Sequence, residues 1–325
     1  MSQQKAANTF KLSLGSLRQM LLGISPAEAS FARRGFWQGH ARERLELIGV
    51  VFLQGYQLAL EENNPSVLVL RLNLLDEELR GFAFEGAAMS LALQDMLTPW
   101  KKDRWLCFMQ SGGASHTYMS HVGVGWALAR LQRWRASRPR LTDPLLRWLA
   151  IDGYGFHEGY FHWQRFIKDR SLPLRLAGYS RRVFDQGLGR SLWFVNGADV
   201  ERIVATIASF TAARRADLWS GVGLACTYAG GVDQSSIKAL KAAAALYKAQ
   251  VAQGACFAAK TRQKAGNLVE HTELACRILC GLSADDAAEV TDLALENLPG
   301  DGAVPSYEIW RQRIQARFSS EVASC

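Results

Sequence analysis

DLWSGVGLACTYAGG, Asp217 to Gly231, sets Gly221 inside a run of apolar and small residues with a polar residue just before it. Such a glycine recurs six more times, usually with a polar or acidic residue just before it. It reads FLQGYQLA at Gly55, FEGAAMSLA at Gly86, HVGVGWALA at Gly123, FHEGYF at Gly159, DQGLGRSLWF at Gly187 and AQGACFAA at Gly254. Successive glycines give a period near ~33 residues, the length of one helical hairpin with its turns. A glycine in a helix interior costs ~1 kcal/mol against alanine. Repeating that cost needs a return, either close helix–helix approach or room for a ligand beside the backbone.

The segments between the glycines read as helices too. Asp199 to Ala213 places Val200, Ile203, Val204, Ile207 and Phe210 at helical spacing. Ser236 to Gln250 is alanine-rich, which favours helix, and Ser235 or Ser236 is a candidate cap for it. Ser66 to Leu72 (SVLVLRL) is the best strand candidate and reads equally as a buried helix. With eight prolines in 325 residues, long helices are rarely interrupted. The expectation is an all-α fold of helical-hairpin repeats, closed or partly closed into an α/α toroid with a central cavity; an open α-solenoid is the alternative. Residues 1–30 read as an N-terminal tail and short helix, 31–265 as the repeat domain, and 266–325 as C-terminal helices packed on the same body.

The net charge of +8 invites an anionic partner. The arginines lie in short clusters, at Arg33–Arg34, Arg130 to Arg140, Arg181–Arg182 and Arg214–Arg215. None is as dense as a nucleic-acid tail, so solvated loops are expected and no nucleic-acid partner. Six scattered cysteines form no disulfide framework. Cys276 and Cys280, with His271 and Glu273 upstream, have one edge of a metal site, but buried thiols fit the spacing better. The first residues lack the apolar core of a secretory signal. The most apolar stretch, Leu45 to Leu60, is broken by Glu46, Gln54 and Gln57 and is too short to cross a bilayer. A cytoplasmic protein is expected.

Residues 151–163, IDGYGFHEGYFHW, are the densest in chemistry. Glu158 and His162 would share a helix face as an acid–base couple, with Asp152 and His157 beside them. Gln54, Glu85, Glu158, Gln186 and Gln253 each precede a repeat glycine. In a ring they would point at one another, so that Glu85, Glu158 and Asp185 form a sparse acidic set with Arg190 and Arg130 as partners. Phe84, Trp126, Tyr154, Phe156, Tyr160, Trp193 and Trp219 would line an aromatic cavity suited to a long apolar or cationic substrate. Gln110 to Tyr118 (QSGGASHTY) is a glycine–serine break without a phosphate-loop lysine. Asp285, Asp286 and Glu289 resemble the magnesium-holding acids of terpene cyclases, but Gly281 to Ala284 reads as a helix start with acids in its first turn. No cofactor is required by any of these motifs, and magnesium enters only through that acidic pattern.

RGFAFEGAAM (Arg80–Met89), HTYMSHVGVGWALARL (His116–Leu131), LAIDGYGFHEGYF (Leu149–Phe161), DQGLGRSLWFV (Asp185–Val195) and DLWSGVGLACTYAGG (Asp217–Gly231) together resemble a bacterial family of unknown function found in natural-product clusters, enediyne polyketide clusters above all. The resemblance implies a role in building a secondary metabolite and transfers no catalytic residue. Two functions follow as expectations. One is a biosynthetic enzyme for a long polyene or isoprenoid chain, including a terpene-cyclase-like cyclisation. The other is a non-catalytic helical scaffold that docks an acidic carrier protein through the arginine clusters.

Overall fold

The structure is a computed structural model that describes residues 14–98, 100, 103–131, 141 and 143–319. Residues 132–140 of the second arginine cluster and Cys325 lie outside the described residues. The helices in chain order are α1 (Leu14–Leu22), α2 (Phe31–Arg34), α3 (Arg42–Glu61), α4 (Pro65–Asn73), α5 (Arg80–Leu97), α6 (Arg104–Gln110), α7 (Thr117–Leu131), α8 (Arg147–Phe161), α9 (Tyr179–Val195), α10 (Val200–Ala208), α11 (Ala212–Ala229), α12 (Gln234–Ala243), α13 (Lys248–Ala265), α14 (Glu270–Leu279), α15 (Ala284–Leu293) and α16 (Ser306–Ser319). No strand occurs among the described residues, and the protein is an all-α helical repeat. No helix among them is long and apolar enough to cross a membrane. The strand candidate at Ser66–Leu72 lies in α4. Asn64 caps that helix, with Leu68, Val69 and Leu72 buried on one side.

Seven long helices, α3, α5, α7, α8, α9, α11 and α13, pack in that order as inner neighbours. Each runs parallel to the next. Followed forward, α8 meets α9 first where Gln186 Nε2 donates to Asp152 Oδ2 (2.8 Å) and then where the Tyr160 and Phe194 rings meet (6.1 Å). Likewise α11 meets α13 first at Ser220–Gln253 (2.8 Å) and then where Arg262 Nη2 donates to Tyr228 O (2.6 Å). Short amphipathic helices such as α4, α10 and α12 carry the chain back on the outside. Asp199 caps α10, which buries Ile203 and Ile207 and exposes Glu201 and Arg202. Asp233 caps α12 by accepting from the Ser236 backbone N–H. The cap is therefore the aspartate, with its second carboxylate-bound partner Ser235, and neither serine serves as one.

The glycines explain the parallel row. Residues two apart on an α-helix project to nearly opposite sides. Helices α7, α8, α9 and α11 each carry a glycine pair at that spacing: Gly123 and Gly125, Gly153 and Gly155, Gly187 and Gly189, Gly221 and Gly223. The first of each pair lies against the preceding inner helix and the second against the following one. A β-carbon at any of them would sit 1.8 to 2.3 Å from a carbonyl oxygen of that neighbour. The end helices carry one such glycine each, Gly55 toward α5 and Gly254 toward α11. In α5, Gly86 faces α3 and Ala88 takes the second slot against Gly123. Backbone approach this close supports Cα–H···O contacts and dense packing.

Glycine position also corrects the repeat register in α8. Gly159 meets the Ser191 hydroxyl, whereas Gly153 meets the Val122 carbonyl as its counterparts do in the other helices. The residue preceding the repeat glycine is therefore Asp152 and not Glu158. Gln54 departs from the pattern as well. It is exposed, because Gly55 faces the following helix and α3 has no inner neighbour before it.

The row curls until its ends meet. Arg44 Nε of α3 donates to Ala229 O at the end of α11 (3.3 Å). Arg262 and Asn267, at the end of α13, donate to Glu78 O (3.1 Å) and Glu77 O (2.9 Å). The centre is filled rather than hollow. Residues 81 to 96 of α5 are buried without a break, as expected of a helix surrounded on all sides. From the C-terminal region α16 inserts Tyr307, Trp310, Arg311 and Ile314, all buried, between α9, α11 and α13.

Candidate functional site

The residues that precede the repeat glycines converge as the period implies, once the register is set by contact. Glu85, Asp152, Gln186, Ser220 and Gln253 are all buried. Gln186 holds Asp152, and the Tyr307 hydroxyl lies 3.2 Å from the same Gln186 amide nitrogen. Ser220 Oγ donates to Gln253 Oε1, which also accepts from Arg311 Nε (3.3 Å). Arg190 Nη1 donates to Asp152 Oδ1 at 2.5 Å, forming an ion pair whose two side chains are almost wholly enclosed. Arg190 is thus the partner of Asp152, while Arg130 is exposed.

Glu85 is the exception in this network. Its Oε1 is buried and unpartnered. Burial pushes its carboxyl up to about 7, against the pull of the Arg190 guanidinium and with the Asp152 carboxylate adding to the rise. It stands in the wall of a cavity of about 30 Å³, together with Phe82, Trp126, Phe156, Tyr160 and Phe194. The Trp126 indole N–H is turned toward this carboxyl and pulls slightly against the rise, although it makes no hydrogen bond of normal geometry. The remaining wall comes from α3 and from the turn around Glu28 and Ala29. A space of this size holds about two water molecules.

A second cavity, also of about 30 Å³, lies on the other side of the ion pair. Asp152, Arg190, Tyr228, Phe257, Lys260 and Trp310 are among its lining residues. The two cavities share a wall. The Phe82 ring of the first packs edge-on against the Tyr228 ring of the second at 5.1 Å, and the Arg190 guanidinium lies 4.6 Å from the Phe156 ring centre. Tyr228, Tyr307 and Arg311 escape a reading by period, since none of them precedes a repeat glycine. Tyr228 is a polar-tipped side chain in a small-residue run, whereas Tyr307 and Arg311 sit in the polar stretch SYEIWRQR, where no spacing marks them.

The other expected site residues are placed elsewhere. Glu158 pairs with His157, Nδ1 to Oε1 at 3.4 Å, and not with His162. The reason is local: α8 ends at Phe161, so His162 is the exposed cap residue with a non-helical backbone. Burial lowers the His157 imidazole below its ordinary range. Arg214 grips both oxygens of Asp185 (2.6 and 2.9 Å), and burial still pushes that carboxyl up to about 6. Phe84 stacks on His116 at 4.0 Å, and Tyr154 lies against Phe184. Trp193 donates to Gly230 O (2.9 Å), and Trp219 stacks on Tyr247. None of these residues lines either cavity. Glu85, Glu158 and Asp185 thus form no common acidic set. The central cavity has room for a compact group and not for a long chain.

The Arg33–Arg34, Arg181–Arg182 and Arg214–Arg215 clusters are used within the fold. Arg33 and Arg34 bind Glu28, and Arg34 also donates to Tyr160 O and Phe161 O. Arg181 donates to Leu176 O, while Arg182 bridges Asp217 and Glu308. Arg215 donates to Ala208 O and Phe210 O just beyond α10, where a cation satisfies terminal carbonyls. Around the cysteines, Cys280 Sγ lies 3.9 Å from Cys256 Sγ, and Cys276 is buried. His271 is occupied by Tyr228 O and Glu78, and Glu273 by Arg277. Ser283 caps α15 and Asp285 and Asp286 fill its first turn. Among the described residues no group of three or more His, Cys, Asp or Glu is arranged to hold a metal ion.

A family model described as a protein of unknown function, DUF1702, matches residues 13–318, and the chain belongs to that family. No curated protein and no solved structure matches the chain.

Proposed function

We propose that this protein is an acid–base enzyme for a compact, unsaturated apolar substrate, with Glu85 as the proton-transferring group. The observation that carries the reading is the Glu85 carboxyl itself. It is buried, has an unpartnered oxygen, and faces an aromatic cavity. Its pKa of about 7 populates both protonation states near neutrality, as general acid–base catalysis requires. Structural carboxylates in this core are tied to cations or amides, as Asp152 and Asp185 are. One left unpartnered at a cavity wall has its free energy cost offset elsewhere, which is the mark of a reactive site. The Asp152–Arg190 pair beside it supplies a fixed local field.

The biosynthetic setting rests on the resemblance to proteins of bacterial natural-product clusters, and with it go a cytoplasmic location and an apolar metabolite as substrate. The size of the cavity favours a compact substrate, or the reacting segment of a larger one, over a long polyene or isoprenoid held along its length. Docking of an acidic carrier protein is the rival. It loses support where arginine donors are used inside the fold, and a pull-down with an acidic carrier domain tests it.

The experiment is incubation of the purified protein with small alkenes, dienes and short polyenes in D₂O, with and without magnesium, read by mass spectrometry. Glu85→Gln is expected to lower deuterium incorporation or turnover by at least about 100-fold, and Glu158→Gln to leave it unchanged. Unaltered turnover in Glu85→Gln removes Glu85 from the mechanism.

A further inference from the structure

Helix α16 reads SYEIWRQRIQARFS, yet it is buried on the side that carries Glu308 and Arg311. Taking two ions out of water offsets most of what their pairing contributes, so this contact holds the helix less firmly than its burial suggests. Each group that α16 binds also has a second partner in the row of inner helices. Asp217 accepts from Arg311 Nη2 (2.7 Å), and Arg182 of α9 holds both of its oxygens (3.0 and 3.2 Å). Gln253 Oε1 accepts from Arg311 Nε and also from Ser220 Oγ (2.8 Å). Gln186 meets the Tyr307 hydroxyl and keeps Asp152 (2.8 Å). On the other side, Arg311 is paired with Glu308 one turn earlier in α16 itself (3.3 Å). Arg182 also reaches Glu308 (2.7 Å), but each of the two has another counter-ion. Lifting α16 therefore leaves every ionised group at this contact paired, unlike parting Asp152 from Arg190.

The segment that leads into α16 is built to let it move. Residues 299–305 read PGDGAVP, and 299–304 are exposed. A β-carbon at Gly300 or Gly302 would meet nothing within 4 Å. The segment is tied down through Asp301, which pairs with exposed Arg147 and accepts from the Ser306 N–H, and through Ser306 Oγ to Pro299 O. What α16 gives up on leaving is the packing of Trp310 and Ile314, the Trp310 N–H to Thr291 O (2.8 Å), and the Arg313 donors to Ala294 O and Glu296 O (3.2 and 2.7 Å). Those carbonyls lie at the end of α15, where water can take over. We propose that α16 is a detachable plug, which swings out as a unit about residues 299–305 and opens a polar cleft between α9, α11 and α13. Trp310 is part of the wall of the second cavity, so its departure opens that cavity to solvent. The proposal goes beyond the acid–base reading and does not depend on it, since Glu85 stands in the wall of the other cavity.

The test asks whether the floor of the cleft is uncovered without global unfolding. Gln253→Cys in the full-length protein places a thiol directly under Arg311. Its reaction with N-ethylmaleimide in native buffer is followed by peptide mass spectrometry. Cys226 and Cys256, 1% and 0% exposed on α11 and α13, serve as internal references for global opening. The introduced thiol is expected to react at least about tenfold faster than either. Hydrogen–deuterium exchange of the wild type is the second measurement, and it decides alone if the variant does not fold. The amides of Tyr307 to Ile314 should exchange together, at least about tenfold faster than those of Leu218 to Ala229. A thiol no faster than Cys226 overturns the plug. So does exchange that fades inward from Ser319 and leaves Tyr307 to Trp310 as slow as α11, which is the fraying of any chain end.

Discussion

Three carboxyl groups in this interior show how neighbours decide chemistry. Asp152 has an arginine and an amide, Asp185 has a bidentate arginine, and Glu85 has an unpartnered oxygen facing a cavity. The first is a structural ion whose removal strands Arg190. Asp152→Ala is expected to cost about 3–5 kcal/mol in urea denaturation, and Asp152→Ala with Arg190→Met to recover much of it. Glu85 sets a pH dependence of opposite character. Its folded pKa, about 7, lies above the ordinary value of 4.5. Between those two values the unfolded chain has lost the proton that the folded one keeps. The stability it contributes is therefore complete below about 4.5 and lost as the pH rises through about 7. Glu85→Gln should gain on the wild type across that window, by on the order of 3 kcal/mol. Parallel denaturation curves at pH 4.5 and pH 8 check this; a constant difference would contradict it.

At the scale of the helix, the glycine pair is the unit. Each pair lets one helix touch two parallel neighbours backbone to backbone, and a methyl group at either position has nowhere to go. Gly155→Ala would set a β-carbon 2.1 Å from Phe184 O, whereas Gly300→Ala meets nothing within 4 Å. The first is expected to destabilise by about 2–3 kcal/mol or to prevent folding, and the second to change little. Comparable midpoints for the two would remove close approach as the reason for the repeat. How much of this was legible follows from the same geometry. The period, the helical class and the polar residue before every repeat glycine but Gly123 can be read from one strand of text. The register in α8 cannot, because Gly153, Gly155 and Gly159 all suit a small-residue helix and only contact with Val122 and Phe184 tells them apart. A register set on Gly159 points to Glu158, and the register set by contact points to Asp152. His162 is a related case. Its spacing from Glu158 is helical, but the helix ends one residue before it.

At the scale of the molecule, the curled row of parallel helices brings residues more than a hundred positions apart to one axis. Glu85 of α5, Asp152 of α8, Arg190 of α9, Tyr228 of α11 and Tyr307 of α16 meet there without any local sequence signal. The spacing of aromatics therefore marks only part of the cavity: Trp126, Phe156 and Tyr160 line it, while Trp193 and Trp219 serve packing. Filling of the axis by α5 and α16 also explains why two small cavities replace one large one. The proposed acid–base function passes through the proton on Glu85. Infrared difference spectroscopy across a pH titration, comparing wild type with Glu85→Gln, reads that proton directly. The account predicts a protonated carboxyl band in the wild type that disappears with a midpoint near 7 and is missing from the variant. A wild-type spectrum identical to that of Glu85→Gln above about pH 5 would mean an ordinary ionised glutamate, and would contradict it.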